Sequence, residues 1–333
     1  MSKLLTISIA AYNVEKYLGN TLESLINDKI IDELEVLIID DGATDHTAQI
    51  AKTYCDKYPQ SIKFVHKTNG GYGTVVNMAV EIATGQYFKL LDGDDWFDFK
   101  GLTLLVQKLK STNADVIFSP MYEVYPDKKE LVQDSWGRYK NTQMDLSQVP
   151  EGIHAGMWEI TIKTEILKEH WMELPGKTLY TDHLFIMIPI PYIKKAEFVE
   201  FPVYCYRLGY DEQSVSTVSR KKHIDEIMKV SNMATKYFHE KCLGTENEAY
   251  ARERARFCHM EAIRSLMLFP CNLDTMRRIR QFDQELKQTD ISVYNECMKY
   301  GEKRTIKLLR ATNYWAFYVI KIKRTLKQYF AKR

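Results

Sequence analysis

Asp92, Asp94 and Asp95 crowd the stretch Lys89-Leu-Leu-Asp-Gly-Asp-Asp-Trp-Phe-Asp98, directly after an apolar run. The preceding Gly85-Gln-Tyr-Phe-Lys-Leu-Leu91 reads as a short buried strand. Carboxylates gathered at the end of such a strand repel one another unless a positive charge lies between them. A divalent cation supplies that charge. Mg²⁺ and Mn²⁺ suit oxygen ligands, and one or two carboxylates leave them open positions for substrate phosphates. The competing reading is a solvated loop in which Asp95 caps a helix running from Phe97 to Leu109.

The elements upstream decide between the two. Leu4-Leu-Thr-Ile-Ser-Ile-Ala-Ala11 is a strand ending at Tyr12-Asn13, and Val14, Leu18, Leu22, Leu25 and Ile26 then follow helical spacing. Leu34 to Ile39 is a second buried strand, closed by Asp40-Asp41-Gly42-Ala43-Thr44-Asp45. Ile62 to Val65 is a third, leading into Asn69-Gly-Gly-Tyr-Gly73 and a helix to about Ala83. Strands alternating with helices predict a parallel sheet covered on both faces, which binds ligands at the carboxyl ends of its strands. Asp40 and Asp41, Asn69 to Gly73, and Asp92 to Asp95 all fall at carboxyl ends and so converge on one rim.

In this order and spacing the residues resemble the family 2 inverting glycosyltransferases, which have a nucleotide-diphospho-sugar donor and the GT-A fold. The matching pieces are Ser8-Ile-Ala-Ala-Tyr-Asn-Val-Glu-Lys-Tyr-Leu18, Glu35-Val-Leu-Ile-Ile-Asp-Asp-Gly-Ala-Thr-Asp-His-Thr47, Asn77 with Ala83-Thr-Gly-Gln-Tyr87, Leu91-Asp-Gly-Asp-Asp-Trp-Phe97 and Val203-Tyr-Cys-Tyr-Arg207. They cover roughly the first 215 residues. Ala11 stands where the family usually has Pro, and Val76 where it usually has Arg. The implied fold is α/β, a Rossmann-like, mostly parallel GT-A sheet followed by a helical C-terminal domain. The expected divisions are 1–217, with a donor half to about 120 and an acceptor half after it, and 218–333.

The resemblance implies roles residue by residue. Ala10, Ala11 and Tyr12 would lie against the nucleobase and ribose, Asp41 would accept a hydrogen bond from the base, and Asn77 belongs to the donor set. Asp92 goes to the ribose and Asp94 to the metal, both serving as candidate ligands, with Gly93 admitting a close backbone approach. Asn69 and Gly71 sit in a Gly-rich turn that offers N–H donors to a phosphate or sugar, or else is only a tight turn. That turn is not a dinucleotide fingerprint, since it lacks a third glycine and follows the third strand. In Leu179-Tyr-Thr-Asp-His-Leu-Phe185, Asp182 is the candidate base for an acceptor hydroxyl, or a helix N-cap. His154, Trp158 and Asp95 are assigned to the acceptor side. Arg207 can meet the diphosphate and make up for Val76, or pair with a surface acid, and Gln213 and Ser214 can order the loop after it.

The implied reaction is hexosyl transfer, with Mn²⁺ or Mg²⁺, from a nucleotide sugar, UDP-linked in first place, to a glycan, glycoprotein or lipid-linked acceptor. Two alternatives are a donor-binding partner without catalysis and a nucleotidyltransferase; the latter wants a basic Gly-rich loop where Ala10 to Asn13 stands. The six cysteines show no CxxC pair, which predicts reduced thiols in a cytosol. No run of about 18 apolar residues predicts a membrane span. From Lys303 to Arg333 there are ten Lys or Arg and no acid, interleaved with Trp315, Phe317, Tyr318, Ile322, Leu326 and Phe330. Such a segment either lies on an anionic membrane, making the protein peripheral at the inner face, or packs on the protein with its charges solvated. Nucleic acid is not expected as a partner, because the bases lie on one terminal segment.

Overall fold

The apolar runs of the first hundred residues become four parallel strands: β1 (Leu5–Ala11), β2 (Leu34–Asp40), β3 (Ile62–His66) and β4 (Tyr87–Asp92). β2 is buried along its whole length, as a strand covered on both faces must be, whereas edge strand β3 buries only Ile62. The register pairs Ala11 with Asp40, Asp40 with His66 and Ala10 with Asp92, so the polar strand ends stand in one row. Inside the sheet, buried Glu35 accepts hydrogen bonds from Thr6, Lys63 and Thr84, tying β1, β2, β3 and the approach to β4 together. Burial alone would push this carboxyl up, but those donors hold it at about 2.

Helices α1 (Leu18–Glu23), α2 (Thr47–Lys57), α3 (Tyr72–Ile82) and α4 (Phe99–Leu109) join these strands. Trp96–Phe97 forms a short strand, β5, and α4 is capped by Asp98, whose carboxylate accepts from Gly101 N at 3.0 Å. Asp95 is therefore not the cap, and the helix starts two residues later than the sequence predicts.

Past α4 the mostly parallel sheet takes in antiparallel strands. Its later strands are β6 (Val116–Phe118), β7 (Met121–Val124), β8 (Lys129–Leu131), β9 (Thr142–Asp145), β10 (Ile160–Lys163), β11 (Lys195–Phe198) and β12 (Tyr204–Arg207). The main sheet runs β3-β2-β1-β4-β10-β6-β11-β9, with β10 antiparallel to both neighbours, and a smaller sheet runs β5-β12-β7-β8. Phe198 and Tyr206 belong to strands of different sheets, β11 and β12. The chain crosses between them at Glu200-Phe201-Pro202, where a Cβ on Gly101 would meet the Pro202 carbonyl at 1.9 Å. Helices α5 (Thr164–His170) and α6 (Asp182–Met187) complete this part.

The computed structural model describes residues 3–132, 135–209, 215–299 and 303–331, the side chains of 303 and 324–331 left aside. Gln213, Ser214, Leu326 and Phe330, given roles above, lie outside that description. Two compact units divide the chain, Met1–Tyr210 and Asp211–Arg333. The second is helical: α7 (Thr217–Lys222), α8 (Ile224–Tyr237) with a π turn at Phe238–Cys242, α9 (Glu248–Leu266), α10 (Leu273–Thr289), α11 (Ile291–Glu296), α12 (Lys303–Ala311) and α13 (Ala316–Ala331). Buried Asp283 of α10 centres it, accepting from Arg310 Nε (2.7 Å) and Tyr314 Oη (2.6 Å) and lying 3.0 Å from His259 Nε2. Burial works against the charge, yet Arg310 and His259 hold this carboxyl well below the ordinary range. None of the six cysteines, all among the described residues, forms a disulfide.

Candidate active site

The row of strand ends collects the acidic groups in the first unit. Asp92 closes β4, and its Oδ1 is buried with no hydrogen-bond partner among the described residues. Burial first, then the Asp94 and Asp182 carboxylates, push its proton affinity up to about 8. Asp94 is raised as well, by burial, with Arg207 opposing. Gly93 sits against the chain's own β1: its N–H donates to Ala10 O at 3.1 Å, and a Cβ there would lie 2.6 Å from that oxygen. The close backbone approach that needs this glycine is thus internal, which locks the acidic turn onto the end of β1.

Asp41 is buried at the end of β2 and holds the Gly-rich turn. Its carboxylate accepts from Gly70 N (2.9 Å), Gly71 N (2.8 Å) and Lys67 Nζ (2.7 Å). A carboxylate has about four acceptor sites, so one remains for a ligand. Gly71 has φ +85°, and a Cβ there would meet Lys177 N at 2.8 Å, so both its conformation and its packing require glycine. Asn69 is exposed beside this turn. Asp40 points the other way, toward Ala43 N (2.7 Å) and His66 Nδ1 (2.8 Å). Ala11 is buried, Ala10 half-buried, and Tyr12 stands 50% exposed at the end of β1.

Asp182 is the first residue of α6 and Thr181 occupies the cap, so Asp182 is not the N-cap. It lies within electrostatic reach of Asp92, Tyr72 and Tyr206. Tyr180, two residues before it, adopts φ +63°, a conformation uncommon outside glycine and asparagine that turns the chain into the site. Tyr72 opens α3 facing the same carboxylates, and burial, then Asp92 and Asp182, hold its proton on. Arg207 donates from Nε to Asp94 O at 2.7 Å, and its guanidinium lies 4.7 Å from the Tyr17 ring and 4.8 Å from the Trp96 ring.

Two of the assigned residues spend polar atoms inside the fold. Asn77 is bonded to the segment before Asp182. Its Oδ1 accepts from Leu174 N (2.8 Å) and Trp171 Nε1 (3.1 Å), and its Nδ2 donates to Leu174 O (2.9 Å). It clamps the segment that leads to Asp182. Asp95 is 1% exposed and accepts from Tyr204 Oη (2.7 Å) and Arg207 N (2.7 Å). It braces β12 against the acidic turn and does not face the acceptor side.

The sequence profile described as "Glycosyl transferase family 2" matches residues 6–171. The chain belongs to this family. EpsH of Bacillus subtilis is 25% identical over 209 residues, 61% of this chain and 60% of EpsH. Chondroitin synthase of Escherichia coli is 36% identical over 107 residues, 32% of this chain and 15% of that one. The chain spans less than two thirds of the length of the curated relatives it matches. Among solved structures, Staphylococcus aureus TarS 1-349 in complex with UDP-GlcNAc aligns with TM-score 0.62 at 19% identity, covering 93% of this chain and 92% of that one. Mannosyltransferase PcManGT from Pyrobaculum calidifontis, solved with GDP-Man and Mn²⁺, aligns with TM-score 0.51 at 16% identity over 98% and 88%. These structures establish the GT-A-like fold.

In this family 2 domain the acidic turn fits a divalent cation. Asp92 Oδ1 is buried and unpartnered, and burial raises both carboxyls, with Arg207 offsetting only part of the shift at Asp94. Among the described residues no group of three or more His, Cys, Asp or Glu stands ready as a metal site. An ion there would have few protein ligands and would need other oxygen ligands to complete its shell. Sequence reading missed Lys67, the cation beside Asp41, whose one signal is a basic residue just past β3. It also missed Tyr72 and Tyr204, whose partners lie far along the chain.

On the other flank, Trp158 stacks on Tyr206 (centroids 5.1 Å apart, 11° between planes), so one ring face is already covered. His154 is half-buried, its backbone N–H and C=O both bonded to Ser135 Oγ. Beneath Trp158 lies fully buried Lys89 of β4, donating to Trp158 O (2.8 Å) and Ile160 O (3.1 Å). Burial lowers this amine to about 7, with Glu159 partly opposing. Below that pH the fold must hold a buried ammonium. Between about 7 and 10.5 the unfolded chain is protonated and the folded one is not, so this group's contribution rises with pH by at most about 1.4 kcal/mol per unit. Urea unfolding of wild type and Lys89→Met across that window should give a stability difference that shifts toward the wild type as pH rises. A pH-independent difference would show that Lys89 keeps an ordinary pKa.

Proposed function

We propose that this chain is an inverting glycosyltransferase, moving a sugar from a nucleotide-diphospho-sugar to a hydroxyl of a glycan or lipid-linked acceptor. The observation that supports it is the electrostatic meeting of Asp92, Asp94 and Asp182 in the unit whose strand ends also carry Tyr12, Asp41 and the Gly70-Gly71 turn. Tyr12 stacks on the base, and Asp41 uses its remaining acceptor site on a base N–H, which favours uracil and a UDP-sugar. Asn69 and Gly71 lie on the donor's phosphate and sugar side. Asp92 and Asp94 would hold a divalent cation, Mn²⁺ or Mg²⁺, whose charge would neutralise the departing diphosphate.

Asp182 takes the proton of the acceptor hydroxyl, and the freed oxygen attacks the anomeric carbon from the face opposite the diphosphate. The new C–O bond forms as the bond to the diphosphate breaks, and the bonding pair leaves with the phosphate oxygen. Arg207, positioned by the Asp94 carbonyl and two aromatic rings, offers guanidinium N–H groups to that diphosphate. Trp158 and His154 line the acceptor flank. This reading includes a cytoplasmic location at the inner membrane face, where lipid-linked acceptors are presented. Incubating the protein with a panel of nucleotide sugars and Mn²⁺ tests it. Metal-dependent release of nucleoside diphosphate from one donor is expected, and a folded protein releasing none with either Mn²⁺ or Mg²⁺ contradicts it.

A further inference from the structure

The terminal helices keep one apolar face for themselves and turn another outward. Ile306, Leu309 and Phe317 are fully buried and Tyr314 nearly so, which anchors α12 and α13. Trp315, Val319 and Ile322 point the other way, 59%, 64% and 59% exposed. Val319 and Ile322, three residues apart, share one face of α13, and Trp315 stands in the turn immediately before that helix. Trp315 stacks on Tyr318 with centroids 5.9 Å apart, which presents the indole instead of folding it under. A soluble surface has no reason to display three large apolar side chains in register beside an anchored face.

The charge around this row is of one sign. The whole chain has 46 Lys and Arg against 44 Asp and Glu, and the last 31 residues hold ten of the former and none of the latter. The remainder therefore carries a formal −8, and the terminal segment +10. Arg304, Lys307 and Lys323 are exposed.

We propose that the Trp315, Val319 and Ile322 row, with these bases, docks on an anionic lipid bilayer as an interfacial helix. An outward apolar row with an indole suits the boundary between headgroups and acyl chains, and the cations suit anionic headgroups. Nucleic acid would leave Val319 and Ile322 without a partner. A second copy of the chain would bring two +10 segments together, so charge opposes self-association through this face. No helix among the described residues is long and apolar enough to cross a membrane, so the contact is peripheral. The docking does not depend on the transfer chemistry proposed above, and either can fail without the other.

Co-sedimentation of the full chain with vesicles tests it, comparing phosphatidylglycerol mixed into phosphatidylcholine with phosphatidylcholine alone. Binding is expected with the anionic vesicles alone and should fall as salt rises from about 0.1 M to about 1 M, where the Debye length shrinks to roughly 3 Å. Combining Trp315→Ser, Val319→Ser and Ile322→Ser should cut binding roughly tenfold or more with an unchanged melting temperature. A second variant, Arg304→Gln with Lys307→Gln and Lys323→Gln, leaves the apolar row intact and should also weaken binding, which decides the matter if the first fails to fold. Indifference of the wild type to anionic vesicles, undiminished binding by the charge variant, or a dimer lost in the serine variant would overturn the proposal.

Discussion

Asp94→Ala should abolish metal-dependent turnover while leaving the fold intact. Asp94 lies half-buried in the turn after β4 and is not among the buried core residues, so the loss falls on chemistry. The departing diphosphate then loses a protein ligand for the charge that stabilises it. An interaction of this kind is worth several kcal/mol, which corresponds to roughly 10³-fold in rate. Steady-state transfer with saturating Mn²⁺ measures it, and near-normal kcat in the variant would remove Asp94 from the metal assignment.

Asp182→Asn keeps the shape of the side chain at the start of α6 but cannot take a proton. Transfer should fall by roughly 10²-fold or more, the usual scale for losing a general base. Nucleotide-sugar affinity should survive, because Tyr12, Asp41 and the glycine turn are untouched. Donor titration alongside single-turnover transfer separates the two effects. Loss of donor binding together with turnover, or transfer hardly changed, would make Asp182 a structural residue of the turn that Tyr180 opens.

The donor half was legible because its strands are buried on both faces. Such strands read as unbroken apolar runs, and a polar residue at each end marks where the run stops, as Asp40 and Asp92 do. The middle of the chain was not legible, because strands such as Val116–Phe118 and Ile160–Lys163 are three or four residues long, too short for periodicity to declare their direction or partner. Long-range pairings hid the rest. Asn77 meets Leu174, and Asp95 meets Tyr204. In each case the motif marked the residue but could not show whether its polar atoms face a ligand or another segment of the chain. Lys89 was hidden differently: a lysine inside an apolar strand reads as an interruption until the two carbonyls it bonds are seen.

The most direct measurement is the melting temperature of the full chain with nucleoside diphosphates, with and without Mn²⁺, in the wild type and in Asp94→Ala. A ligand at about 100 times its Kd adds about 2.7 kcal/mol, enough to raise the midpoint by several degrees. One diphosphate, UDP first among them, should stabilise the wild type in the presence of Mn²⁺, lose most of that effect without the metal, and lose it in Asp94→Ala. If no nucleoside diphosphate shifts the midpoint with Mn²⁺ or Mg²⁺, or if the shift persists undiminished in Asp94→Ala, the acidic turn does not hold a metal-bound nucleotide diphosphate.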